Sequence, residues 1–101
     1  MRMEVDFDDE SCRRLEADLS YDAGFGREVV KAFRKRLQLI RAAPDERDFY
    51  ALKSLHFEKL KGGRESQYSM RLNDQWRLIL RFARREGDKK IVVIVSITDY
   101  H

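Results

Sequence analysis

At the start of the chain, Met3, Val5 and Phe7 alternate with Arg2, Glu4 and Asp6, which predicts a short strand over residues 1–7 with one apolar face. Asp8 or Asp9 is placed to cap a helix in which Cys12, Leu15 and Leu19 recur at helical spacing. Ala23-Gly24-Phe25-Gly26 interrupts that pattern. Val29, Phe33, Leu37 and Ile40 then form the apolar stripe of a second helix, which Pro44 ends, so the pair reads as a helical hairpin. A helical turn is expected within residues 45–52, and the stretch from Leu55 to Gly63 reads as irregular.

Strands follow. Tyr68, Met70 and Leu72 alternate with Ser69 and Arg71, and after a polar turn Trp76, Leu78, Leu80 and Phe82 alternate with Arg77, Ile79 and Arg81. Opposed residues of an antiparallel pair share a face, so a turn of Asn73 and Asp74 alone would mix apolar and cationic positions. A turn that also takes in Gln75 sets Leu72 opposite Trp76 and Arg71 opposite Arg77, and is therefore expected. Past Glu86-Gly87-Asp88, the run Ile91 to Ile97 is apolar at nearly every position, as in a central strand covered on both faces. The order of strand, two helices and three antiparallel strands predicts a small α+β fold, and 101 residues suit a single domain.

Charge changes the picture more than composition does. The net charge of +3 comes from 21 Lys and Arg against 18 Asp and Glu, and the signs are segregated along the chain. Glu4, Asp6, Asp8, Asp9 and Glu10 form an acidic start, whereas residues 27–41 and 53–85 are rich in cations, a distribution suited to a polyanionic partner. The single cysteine, Cys12, excludes an intramolecular disulfide framework and fits a reducing compartment. The longest apolar run, residues 91–95, is far short of a membrane span, and the acidic N-terminus is unlike a secretion signal; a cytoplasmic protein without membrane contact is expected.

The register just argued gathers Ser69, Arg71, Arg77 and Arg81 on the sheet face away from the helices. Clustered guanidinium groups repel unless an anion neutralises them, and an arginine fork suits a phosphate, so these residues are candidates for RNA binding. Pairing with Asp or Glu of neighbouring segments is the competing reading of each. Lys61, beside Gly62 and Gly63, is a candidate for the same face, with Lys59 and Arg64 flanking it. Lys31 and Arg34, on the cationic side of the second helix, are further RNA-binding candidates. Asp99, Tyr100 and His101 directly follow a buried strand; His and Tyr supply the proton transfers that attack by a ribose 2′-hydroxyl requires. His56, between Leu55 and Phe57, is expected to be a packed histidine. No metal-ligand spacing, phosphate-binding glycine loop or serine-nucleophile motif occurs, so neither metal nor cofactor is expected.

Three separated blocks, Leu60-Lys61-Gly62-Gly63-Arg64, Gln67 to Arg77, and Asp99-Tyr100-His101, closely resemble the plasmid-maintenance killer proteins, the HigB branch of the RelE toxin superfamily. The resemblance implies a RelE-like microbial RNase fold and a ribosome-dependent endoribonuclease that cuts mRNA without a metal. It further implies that Lys61 and Arg77 hold the scissile phosphate, that His101 and Tyr100 manage proton transfer and stack on a base, and that Asp99 orients them. The implied partners are the ribosome with its mRNA, and a HigA-like helix-turn-helix antitoxin through which promoter DNA is bound. One departure stands out: some members carry a histidine three residues before the lysine, where this chain has Glu58, which shifts weight to His101. A non-catalytic RNA- or ribosome-binding module using the same basic face is the alternative, and a purely regulatory subunit a third reading.

Overall fold

The structure, a computed structural model, describes residues 3–62 and 66–99. Strand β1 (Glu4–Phe7) leads into α1 (Glu10–Ala17), α2 (Arg27–Ala42) and α3 (Arg47–Ala51), followed by β2 (Glu58–Lys59), β3 (Gln67–Arg71), β4 (Trp76–Arg85) and β5 (Lys89–Asp99). The five strands form one sheet in the order β1-β5-β4-β3-β2, in which β1 runs parallel to β5 and every other pair is antiparallel. This is an α+β arrangement, with α1 and α2 packed on one sheet face.

Local chemistry sets the element ends. Asp9, in extended conformation, caps α1 by accepting from the Ser11 N–H at 2.8 Å. The helix stops at Ala17, earlier than the spacing of Leu19 suggests: Leu19 lies past the helix end and is 78% exposed, while Cys12 and Leu15 are buried. The connection to α2 turns through Ala23 and Gly24, both at positive φ, with the Gly24 N–H held by the Asp22 carboxylate at 2.8 Å. Val29, Phe33, Leu37 and Ile40 of α2 are buried against Met70, Leu78, Leu80, Val92 and Ile94 of the sheet. The helical turn expected in residues 45–52 is α3.

Two expectations are corrected. The segment from Leu55 is not wholly irregular, because Glu58 and Lys59 pair with Ser69 and Tyr68 as the edge strand β2. His56 is exposed rather than packed: it takes a left-handed conformation (φ 47°) at the end of a 3₁₀ turn, while Leu55 and Phe57 on either side are buried.

The apolar β5 is covered on both sides, but not by two layers of secondary structure. Helices cover Val92 and Ile94. On the other face Ile91 and Val93, each 4% exposed, lie beneath ion pairs that cross from β4 to β1 and so pass over β5: Arg81 to Asp8, and Arg85 to Asp6 and Glu4. The long arginine stems supply the apolar cover and the carboxylates neutralise their heads. Among the described residues, no helix is long and apolar enough to cross a membrane.

Candidate functional site

The β3–β4 hairpin is closed by Asn73, whose side-chain oxygen accepts the N–H groups of Gln75 and Trp76 at 2.9 and 2.8 Å, while the Leu72 N–H donates to the Trp76 carbonyl at 3.0 Å. The turn thus includes Gln75, and Arg71 lies opposite Arg77, Ser69 opposite Ile79 and Gln67 opposite Arg81. Strand β5 adds Thr98 beside Arg77 and Asp99 beside Trp76. One row across the sheet face opposite the helices therefore reads Arg71, Arg77, Thr98.

At this hairpin end the guanidinium groups are held by oriented neighbours. Arg77 donates through Nη1 to the carbonyls of Asn73 at 2.6 Å and Trp76 at 3.2 Å. Arg71 forms an ion pair with Asp74 of the turn. Gln75 donates to the Asp99 carboxylate at 2.9 Å, tying the turn to the end of β5. Trp76 sits on the helix side, edge to face with Phe25 at 5.3 Å, and anchors the hairpin to the loop before α2. Beside the row, Ser69 is 1% exposed and its hydroxyl has no hydrogen-bond partner among the described residues.

The other expected residues divide by position. Arg81 is four residues along β4 from Arg77, about 13 Å at strand spacing, and is engaged by Asp8 through Nε at 3.1 Å and Nη2 at 3.3 Å. Lys61 belongs to that end too, because the Leu60 N–H donates to the Gln67 carbonyl at 2.7 Å and Gln67 is opposite Arg81. The backbone therefore does not set Lys61 beside Arg77. Lys59 is exposed and opposes Tyr68, which places it on the helix-side face, whereas Glu58 opposes Ser69 and shares the arginine face. Arg64, Tyr100 and His101 lie outside the described residues.

The two α2 residues expected to meet RNA are on the helix layer, away from the arginine face. Arg34 has a structural engagement there, donating to the carbonyls of Leu15, Asp18 and Tyr21 at 2.9, 3.2 and 3.1 Å. Lys31 is exposed on a groove shared with Leu19, Tyr21 and Lys35. Sequence reasoning passed over Arg36, whose Nε donates to the Arg71 carbonyl at 3.0 Å; a stripe pattern marks it only as a flank position. Cys12 is a core residue, its thiol pushed up to about 12 by burial first and by the Asp9 charge second. Among the described residues, no three His, Cys, Asp or Glu side chains gather as a possible metal site.

Two solved structures share this fold. One, titled a YoeB/ParE toxin from Agrobacterium tumefaciens, superposes with a TM-score of 0.57 at 16% identity and covers 98% of this chain and 100% of its own. The other, titled a YoeB dimer from Staphylococcus aureus, gives 0.53 at 21% identity and covers 100% of this chain and 99% of its own. No curated protein matches the sequence. Over residues 5–101, nearly the whole chain, the sequence matches the family of HigB-like toxins, described as the RelE-like toxin of type II toxin-antitoxin system HigB. The protein accordingly belongs to the HigB-like toxins of type II toxin-antitoxin systems.

Proposed function

We propose that the chain is the toxin of its pair and acts as an endoribonuclease on mRNA at the ribosome, in the cytoplasm, with a HigA-like helix-turn-helix antitoxin as the restraining partner. The observation that carries this reading is the cross-strand pair Arg71–Arg77 beside Asp99 at the hairpin end, immediately before Tyr100 and His101. Promoter DNA is then a partner only of the toxin-antitoxin complex.

In the proposed reaction Arg77 binds the scissile phosphate and stabilises the charge that develops on it. Its contacts to the Asn73 and Trp76 carbonyls keep the guanidinium oriented before substrate arrives. The ribose 2′-oxygen attacks the adjacent phosphorus as its proton passes to a base, the bond to the 5′-oxygen breaks, and an acid protonates that leaving oxygen. The products are a 2′,3′-cyclic phosphate and a 5′-hydroxyl. His101 and Tyr100 are assigned the proton transfers, and Asp99, bonded to Gln75, fixes the strand end from which they extend. Arg71 binds the RNA backbone on the same face, whereas Ser69, 1% exposed, is too deeply buried to contact it.

A second reading, a ribosome- or RNA-binding module that does not cut, is favoured by one observation: Lys61 lies towards Arg81 rather than Arg77, so the expected catalytic set does not all meet at the hairpin end. Removing His101 separates the two. A nuclease so truncated keeps its ribosome affinity and loses formation of cyclic-phosphate ends; a binder shows no such ends before or after truncation.

A further inference from the structure

Arg36 is a half-buried cation without a carboxylate partner among the described residues. It lies on the flank of α2, between the buried Phe33 and Leu37, and among the described residues no Asp or Glu comes within ion-pair distance of it. Among the described residues its one hydrogen bond uses Nε, towards the Arg71 carbonyl at 3.0 Å, which leaves the two terminal amino groups for another acceptor. The neighbouring charge is of the same sign: burial first, and the Arg71 guanidinium second, hold the Arg36 pKa below the ordinary arginine value.

Between these groups is a cavity of about 330 Å³, lined by Arg36, Arg71, Ser54, Asn73, Asp74 and Glu28 among others. Its volume equals about ten waters at roughly 30 Å³ each, ample for a phosphodiester with part of its hydration. Asp74 projects from the exposed turn and engages Arg71; Glu28 pairs with neither arginine. Two adjacent guanidinium groups, one with its forked end unengaged, lower their mutual repulsion when an anion sits between them.

We propose that Arg36 and Arg71 form an anion subsite for an RNA backbone phosphate, next to the Arg77 site and separate from it, and that Asp74 occupies Arg71 until RNA displaces it. The RNA part of this proposal rests on the functional reading above; the anion site itself does not. The subsite lets the bound strand continue past the hairpin end towards α2, so Arg36 contributes to holding the message rather than to bond breaking.

Two probes test it on the full chain. Thermal unfolding is followed with sulfate added at constant ionic strength against chloride, comparing the wild type with Arg36→Gln, which can keep the bond to the Arg71 carbonyl. General exclusion of sulfate from the surface acts on both proteins alike, so the expected result is a sulfate-dependent rise in Tm larger in the wild type. Equal rises overturn the anion site. Anisotropy of a labelled, 2′-O-methylated single-stranded oligoribonucleotide is then measured over a salt series. Arg36→Gln is expected to weaken binding about five- to tenfold and to reduce the slope of log K against log salt by about 0.7. Asp74→Asn, an exposed change that spares the fold, is expected to strengthen binding about two- to fivefold. An affinity for RNA unaffected by either substitution, or absent in the wild type, while the sulfate difference persists, overturns RNA as the occupant and leaves a small-anion site.

Discussion

Exchanging Arg34 for methionine keeps the length and apolar stem of the side chain but removes three hydrogen bonds, from Nε to the Leu15 carbonyl and from Nη2 to those of Asp18 and Tyr21. These carbonyls lie at the end of α1 and in the loop beyond it, where helix geometry leaves acceptors without intrahelical donors and where a cation is favoured by the helix dipole. Bonds from a charged donor contribute about 1.5–3 kcal/mol each, but this site is only half-buried and water replaces part of the loss, so Arg34→Met is expected to cost about 2–4 kcal/mol in all. For a chain of this size that lowers Tm by roughly 10–25 °C. Urea unfolding followed by circular dichroism, with an unchanged m value, measures it. RNA affinity under native conditions is expected to stay within about twofold of the wild type, since Arg34 faces α1 and its loop rather than the arginine face. A variant of wild-type stability that binds RNA less well would refute this assignment and restore Arg34 to the nucleic-acid surface.

Other outcomes follow from the same contacts. The Asp6 pKa is held below the ordinary aspartate range by the Phe7 backbone N–H and by Arg13 and Arg85, so its contribution is present above that range and lost as pH falls through its folded value. Stability should therefore fall as pH drops from the ordinary aspartate range towards the folded Asp6 value, and Asp6→Asn should flatten that part of the curve in acid unfolding; an identical curve contradicts it. Cys12, buried and with its thiol pushed up to about 12, should resist iodoacetamide at mildly alkaline pH until denaturant exposes it; rapid labelling of the native protein would show that α1 opens locally.

The parts of this protein that could be read from its sequence are those governed by short-range periodicity. The facing argument placed Arg71 opposite Arg77 because a one-residue change in turn length would have turned every side chain to the wrong face, and Asn73 closes that turn. The α2 stripe was equally legible. What escaped depends on partners far away in sequence: Arg81 and Asp8 are 73 positions apart, and only the parallel pairing of β1 with β5 brings the acidic start of the chain to the β4 arginines. The segregated charges of the linear sequence are thus recombined in the fold, and Arg81 meets a carboxylate. Leu19 was misplaced because periodicity continues past the point where α1 ends, and Lys61 because spacing along a chain does not say at which end of β3 a two-residue edge strand will pair. Arg34, Arg36 and Arg41 look alike as cations on one helix, yet the first binds three backbone carbonyls, the second has no carboxylate partner among the described residues, and the third pairs with Glu16 at 2.7 Å.

Cleavage of translated mRNA through Arg77 is the central claim, and primer extension across a defined message in a purified translation reaction tests it most directly. Intact protein should give cuts that depend on translation, and Arg77→Ala, with its fold confirmed by circular dichroism, should abolish them while leaving association with the ribosome detectable. Translation-dependent cuts that persist unchanged in Arg77→Ala would contradict the site, and an intact protein that binds ribosomes without cutting would contradict the nuclease.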